Sequence, residues 1–329
     1  MSVAEIPTDR ETYHLLSLAG GGFLGLYTVK VLEMLEARAG IPLARHFDLL
    51  AGSSIGGLLA LALAFELPMA RISQLFIQRG PEVFSKRALP ANAVTKLLDL
   101  SRSVLGPKYN GQALREALQA EFGDRRLGDA IHPVVVTAVD VGNCSTKIFK
   151  TPHGNASLGD SNLRAVDVAM AACAAPAYFP AVRIARTLYA DGGLFAVAPD
   201  QVAMHELEHY VGIDPARMAM LAVGTAARRY RPEADITEDA GAVGWLSDGR
   251  LIMTLISAQQ QHVKAMMQDR LGERYLHLDA DWPVDGGLGL DVATPETIRR
   301  LTNLAKQTLS TVPDSQLTRF FSHLGAGPD

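Results

Sequence analysis

Gly52-Ser53-Ser54-Ile55-Gly56 sets a serine between two glycines in the pattern G-x-S-x-G. An apolar run over 47–51 enters it, and small and apolar residues over 57–65 leave it. A serine on a tight strand-to-helix turn is held clear of the packed layer, with its hydroxyl exposed for nucleophilic attack. The flanking glycines let strand and helix come close without a Cβ clash. Ser54 is therefore the candidate nucleophile, with Gly52 and Gly56 supporting its turn. Two further stretches suit the same chemistry. Gly20-Gly21-Gly22-Phe23-Leu24-Gly25 follows an apolar strand candidate and precedes a helix. There the N–H groups of Gly20, Gly21 and Gly22, aided by the helix dipole, can converge on a negative oxygen as an oxyanion hole, with Gly25 closing the motif. Asp191 ends a short strand candidate and is followed by Gly192 and Gly193. An aspartate there can take the serine proton as general base, and its glycines permit close backbone approach.

Each motif has a rival reading. The glycine run also fits G-x-G-x-x-G, the dinucleotide fingerprint, which wants an acidic residue about 20 residues on, at the end of the next strand. Asp48 lies near that distance but opens its strand, whose end is occupied by the Gly-Ser-Ser turn. The oxyanion reading is preferred, and a nucleotide-binding protein or oxidoreductase is kept as the alternative, beside a catalytically silent lipid-binding module. Asp285-Gly286-Gly287 repeats the Asp191 tripeptide, but between Trp282-Pro283-Val284 and Leu288-Gly289-Leu290 it reads as a loop. An ordinary triad in hydrolase order needs a histidine after the acid. His205, His209, His262, His277 and His323 follow Asp191, and none stands in a distinct motif, which favours a serine–aspartate dyad. His205 and His209 are spaced i, i+4 but lack a third ligand, so they read as a solvated helical face and no metal site is expected.

The elements that must position these residues alternate. Strand candidates lie at 14–18, 47–51, 133–140, 187–190, 218–223 and 275–278, with 146–150 near the third. Helices are expected at 26–39, 112–122, 164–175, 250–270 and 295–309. Val29, Leu32 and Leu35 share one face of the first helix, and Gly40 and Pro42 end it. The run 133–140 is continuously apolar, as a strand buried on both faces should be. This alternation argues for an α/β fold of three layers, a mainly parallel sheet with helices on both faces. Residues 68–105 read as amphipathic and mostly helical, and 68–108 is a candidate lid or membrane-facing surface whose basic side chains suit anionic headgroups. Residues 228–249 read as a loop.

The chain has 329 residues, 48% hydrophobic and 20% charged, enough to bury a large core. It reads as a single domain over 1–329, with a core at about 13–225 and further helical and strand elements at 226–329. A net charge of −4 gives no footprint for a nucleic acid polymer. Cys144 and Cys173 stand in no C-x-x-C pair and read as two reduced core thiols, which fits a cytosolic protein. Residues 1–12 carry Glu5, Asp9 and Glu11 and lack the apolar core of a signal peptide. The longest hydrophobic region, 49–65, is broken by glycines and serines and is too short to span a bilayer. Leucine-rich stretches at 298–309 and 317–324 leave packing within the chain or between copies of a homo-oligomer open.

Taken in order, the glycine run, the serine motif and Asp191-Gly192-Gly193 resemble the patatin-like phospholipases over about residues 13–225. Ala171-Ala172-Cys173-Ala174-Ala175-Pro176-Ala177-Tyr178-Phe179-Pro180 is similar to that family's small-residue helix and proline turn. The resemblance implies a lipid acyl hydrolase with Ser54 as nucleophile, Asp191 as base, the glycine run as oxyanion hole, an acyl-serine intermediate, and no metal or cofactor. It departs from the pattern at Leu24, where many members carry Lys or Arg, and at Phe195-Ala196-Val197-Ala198-Pro199, where many have an Asn-Pro turn. Tyr109-Asn110-Gly111 with Leu114, and the Thr151-Pro152-His153 turn, are similar to a bacterial branch that serves as effectors of CBASS antiphage systems. That likeness implies a cytoplasmic enzyme acting at the inner face of the membrane on phospholipid. Its activator would be a cyclic di- or trinucleotide.

Overall fold

Apolar runs in which nearly every residue is buried form the centre of one sheet. A computed structural model of the chain describes residues 6–84, 106–154, 158–227, 239, 241–246, 250–281 and 289–325. Strands β1 (Tyr13–Leu18), β2 (Leu49–Ser53), β3 (Val134–Asp140), β7 (Met218–Val223) and β8 (Tyr275–Leu278) pair in parallel in the order β3-β2-β1-β7-β8. Strands β4 (Ser145–Lys150) and β6 (Thr187–Asp191) pair antiparallel with β3, and β5 (Val182–Ile184) pairs antiparallel with β6. Side chains alternate across a strand with period two, so each central strand feeds two cores. Leu16, Leu18, Leu50, Val134, Val136, Leu221 and Val223 face one. Leu15, Leu49, Ala51, Val135, Met220 and Ala222 face the other.

Helices cover both faces. The first core takes residues from α1 (Gly25–Ala39), α2 (Ile55–Ala64), α3 (Met69–Val83), α4 (Gln112–Phe122) and α5 (Ala165–Ala172). The second takes residues from α6 (Asp200–His205) and from the C-terminal half of α8 (Arg250–Leu271). A short helix, α7 (Ala242–Leu246), precedes α8, and α9 (Pro295–Thr311) and α10 (Asp314–Phe321) close the described chain. The fold is thus a mainly parallel three-layer α/β sheet. Every residue of α2 is buried, which explains why its sequence is apolar on all sides.

Several expectations change in detail. The 146–150 stretch does lie beside the third predicted strand, as β4 on β3, but β4, β5 and β6 run antiparallel to the strands they meet. β5 carries no periodic signal, since it has only three residues and Arg183 at its centre. Cys173 is buried, but Cys144 is exposed in the β3–β4 turn with φ +49°, so the reading of two core thiols holds for one. Turns are polar and solvated, and one apolar residue type within a turn does not draw it inward. The C-terminal helices pack within the chain: α9 lies on α1, and Leu301, Ala305, Leu309, Leu317 and Phe320 are buried. Of the 68–108 segment, 68–84, with α3, and 106–108 are described, and 85–105 lies outside the described residues. So do most of 228–249, apart from Asp239, Gly241 and α7, and the Asp285-Gly286-Gly287 tripeptide.

Asp48 meets a different task from the one a dinucleotide site would give it. Its buried carboxylate accepts the His14 N–H at 2.7 Å and an Arg10 guanidinium N–H at 2.8 Å, at the entry of β2. The glycine run lies after the exit of β1, at the other end of these paired strands. Asp48 therefore stands at the wrong end of β2 to read a ribose.

Candidate active site

The register of β3 brings the serine and the aspartate together. Ser53, the last residue of β2, pairs with Thr137. Asp191, the last residue of β6, pairs with Ala138, the next residue along. Ser54 therefore emerges beside Asp191, and its Oγ donates a 2.6 Å hydrogen bond to Asp191 Oδ2. The other carboxylate oxygen accepts the Gly193 N–H at 2.7 Å. The Asp191 N–H is itself fixed by the Ala174 carbonyl at 3.0 Å, just after α5. Both carboxylate oxygens are thus held, and the side chain has one orientation.

Ser54 takes φ +52° and ψ −126°, a backbone conformation that an L-residue adopts only under constraint. The constraint comes from its neighbours. A side chain at Gly52 would run into the Gly56 carbonyl, and one at Gly56 into the Leu18 carbonyl of β1. Ser54 is partly exposed, whereas Ser53 is fully buried. Of the two adjacent serines only Ser54 can meet a substrate.

Asp191 is 4% exposed. Burial disfavours its charge and pushes its pKa up to about 6, against the opposing hydrogen bonds from Ser54 and the Gly193 N–H. A carboxylate poised near neutrality accepts a proton far better than an ordinary surface aspartate. Cys173, also buried and facing the same charge, has its thiol pushed well above the ordinary range.

The glycine run lies against Ser54. A Cβ at Gly20 would sit 2.9 Å from Ser54 Cβ. Gly22 has φ +57° and its Cα faces the Leu290 carbonyl, which accepts the Phe23 N–H at 2.7 Å. One expectation needs correction. The Gly20 N–H donates to the Val197 carbonyl at 2.8 Å, so it holds the loop in place instead of facing a substrate oxygen. Among the described residues, the Gly21 and Gly22 N–H groups have no such protein acceptor. Gly25 packs on Ile55, and Gly192 lies against Thr137, each at a separation that a Cβ would prevent.

Sequence reasoning missed the groups that anchor this loop. Val197 acts through its backbone carbonyl, and its N–H donates to Gln259 Oε1 at 3.2 Å. Leu290 likewise acts through its carbonyl. Backbone acceptors leave no trace in residue type. Ile55, the first residue of α2, brings another helix N-terminal N–H next to Ser54. Its position directly after the elbow serine is a signal that could have found it.

A second Ser–Asp pair lies elsewhere. Ser17 Oγ donates to Asp200 Oδ1 at 2.5 Å, and the Tyr275 hydroxyl donates to Asp200 Oδ2 at 2.6 Å. Ser17 is mid-strand in β1 and 1% exposed, so no ester can reach it. This cluster fastens β1 and β8 to α6. Burial raises the Asp200 carboxyl and the Tyr275 hydroxyl above their ordinary values. His205 and His209 stack with ring centroids 5.1 Å apart, and no set of three or more His, Cys, Asp or Glu side chains among the described residues is arranged to hold a metal ion. Among the same residues, no helix is long and apolar enough to cross a membrane.

Known proteins share this pattern. A family profile described as patatin-like phospholipase matches residues 16–204. A "cGAMP-activated phospholipase" of Pseudomonas aeruginosa is 38% identical over 277 residues, covering 83% of this chain and 79% of that protein. Proteins of the same description from Escherichia coli and Vibrio cholerae are 27% and 28% identical, covering 95% and 92% of this chain and 94% and 93% of their own. The fold, the serine turn and the profile match agree: the chain belongs to the patatin-like phospholipase family of serine hydrolases.

Proposed function

We propose that Ser54 and Asp191 are the catalytic dyad and that the Gly21 and Gly22 N–H groups receive the oxyanion. The observation that carries this reading is the 2.6 Å hydrogen bond from Ser54 Oγ to Asp191 Oδ2. Asp191 takes the hydroxyl proton as Oγ attacks the ester carbonyl carbon of a phospholipid. The carbonyl oxygen becomes an oxyanion beside the glycine loop, with α1 and α2 starting nearby. As the tetrahedral intermediate collapses, the alkoxide of the lysophospholipid leaves and takes the proton from Asp191, and the acyl group stays on Ser54. Water then attacks the acyl-serine, giving its proton to Asp191 and releasing the fatty acid. Asp191 returns the proton to Ser54. No step calls for a metal or cofactor.

We further infer that a cyclic nucleotide switches the enzyme on, in cytoplasmic antiphage defence at the inner face of the membrane. The names of the three bacterial relatives support the activator, and the unpaired Cys144 and Cys173 fit a reducing compartment. One sheet that runs from β1 to β8 supports a single working unit over the whole chain. The test is fatty acid release from phospholipid vesicles by wild type and Ser54→Ala, with and without cyclic GMP–AMP and other cyclic di- and trinucleotides. Release that needs one nucleotide and disappears in the variant is the expected result. Release without any nucleotide removes the switch but keeps the hydrolase. Full release by Ser54→Ala overturns the dyad.

A further inference from the structure

The glycine loop is seated from beyond the segment that the family profile covers. The Leu290 carbonyl accepts the Phe23 N–H at 2.7 Å and lies where a Gly22 side chain would be. That carbonyl belongs to the peptide unit joining Leu290 to Asp291, so whatever orients Asp291 orients the carbonyl. Asp291 is 5% exposed. Its Oδ2 accepts hydrogen bonds from the Tyr109 hydroxyl at 2.7 Å and Lys108 Nζ at 2.8 Å. Charge-assisted bonds to a buried carboxylate are among the stronger ones a protein makes.

The two donors are themselves fixed. The backbone N–H groups of Lys108 and Tyr109 donate to the carbonyls of Ala177 and Tyr178, at 2.9 and 2.8 Å. Ala177 and Tyr178 lie in the turn after α5, where Ala174 accepts the Asp191 N–H. Asp191 and the glycine loop are therefore referenced to one frame, and Asp291 is the side chain that joins its two halves.

We propose that Asp291 is a positioning residue: held by Lys108 and Tyr109, it sets the Leu290 carbonyl and through it the Gly21–Phe23 loop that receives the oxyanion. The proposal rests on Ser54 as nucleophile and on the glycine loop as oxyanion hole. A shift of the loop weakens the oxyanion contacts, which exist only in the transition state, and leaves ground-state ester binding unchanged.

The test compares wild type, Asp291→Asn, Tyr109→Phe and Ser54→Ala with cyclic GMP–AMP present. The readouts are kcat and KM on a soluble monomeric ester, the inhibition constant of a trifluoromethyl ketone that mimics the tetrahedral intermediate, and the melting temperature. Asp291→Asn is expected to lower kcat five- to tenfold with KM within twofold, and to weaken the ketone by the same factor as kcat/KM. Tyr109→Phe, which keeps Lys108 in place, is expected to lower kcat two- to threefold with a matching loss of ketone affinity. A folded Asp291→Asn whose kcat and ketone affinity stay within twofold of wild type overturns the proposal. If Asp291→Asn does not fold, unchanged kcat and ketone affinity in Tyr109→Phe overturn it. Undiminished turnover by Ser54→Ala instead defeats the dyad on which the proposal stands.

Discussion

The burial of Asp191 makes a prediction that activity and stability should both report, with opposite signs. Its pKa is pushed up to about 6 from 3.8. A base with that pKa is about 90% ionised at pH 7 and about 10% at pH 5, so kcat/KM falls about tenfold between them. An unperturbed aspartate would be about 90% ionised even at pH 5, and the rate would barely move. The assay is kcat/KM on a soluble monomeric ester from pH 5 to 8, which avoids the titration of lipid headgroups. The stability sign follows from linkage. The folded state binds the Asp191 proton more tightly than the unfolded chain does. Its contribution is therefore full below about pH 4 and is lost as pH rises to about 6. The shift corresponds to about 3 kcal/mol. Asp191→Asn removes this dependence. Its melting temperature should gain on that of wild type as pH rises from 4 to 7, although its activity is abolished. A flat rate profile from pH 5 to 8, or a melting difference that does not change with pH, would refute the argument from burial.

Three further outcomes are expected. Ser17→Ala should cost about 1–3 kcal/mol through the buried Asp200 it leaves underbonded, measured by urea unfolding, and should leave kcat within a few-fold, whereas Ser54→Ala leaves no turnover. Gly56→Ala forces a side chain into the Leu18 carbonyl and should cost about 3 kcal/mol or more; Gly40→Ala, at φ +73° with open space around it, should cost only about 1 kcal/mol, and equal melting temperatures for the two would contradict the close approach. Leu194 is 55% exposed, three residues beyond Asp191, so Leu194→Lys should slow hydrolysis of neutral phospholipid vesicles several-fold more than hydrolysis of a soluble ester; equal effects on both would show that this leucine does not meet the lipid surface.

What could be read in advance follows from how each feature is encoded. β7 and α4 fall at their expected bounds because an apolar run or an amphipathic period is closed by a breaker at each end, such as Gly111 and Gly123 around α4. β8 also falls at its expected bounds, and β1 and α8 fall within one residue of theirs. β5 is a three-residue edge strand with no pattern of its own; it exists because β6 offers it a partner. Ser54, Asp191 and the glycines were legible as motifs. Their meeting was not legible as geometry, since it depends on pairing at Thr137 and Ala138, residues that look like any others in a buried strand. The assignment of the Gly20 N–H went astray for a related reason: the carbonyl that occupies it belongs to Val197, and any residue type offers a carbonyl.

The shared reference strand has a consequence for how such a protein can diversify. Ser53 and Asp191 are fixed by adjacent residues of β3, although they stand far apart along the chain. That pairing does not depend on the length of the segments between β2 and β3 or between β4 and β5 outside α2, Lys108–Tyr109 and the Ala174–Tyr178 turn. Those segments can lengthen, shorten or exchange their surface chemistry while the hydroxyl and the carboxylate stay in contact. Conversely, one residue inserted in β3 between Thr137 and Ala138 would part them by a strand step of about 3.3 Å. Evolution is thus free to rebuild the surface around a pair of side chains whose spacing is set by a single peptide bond.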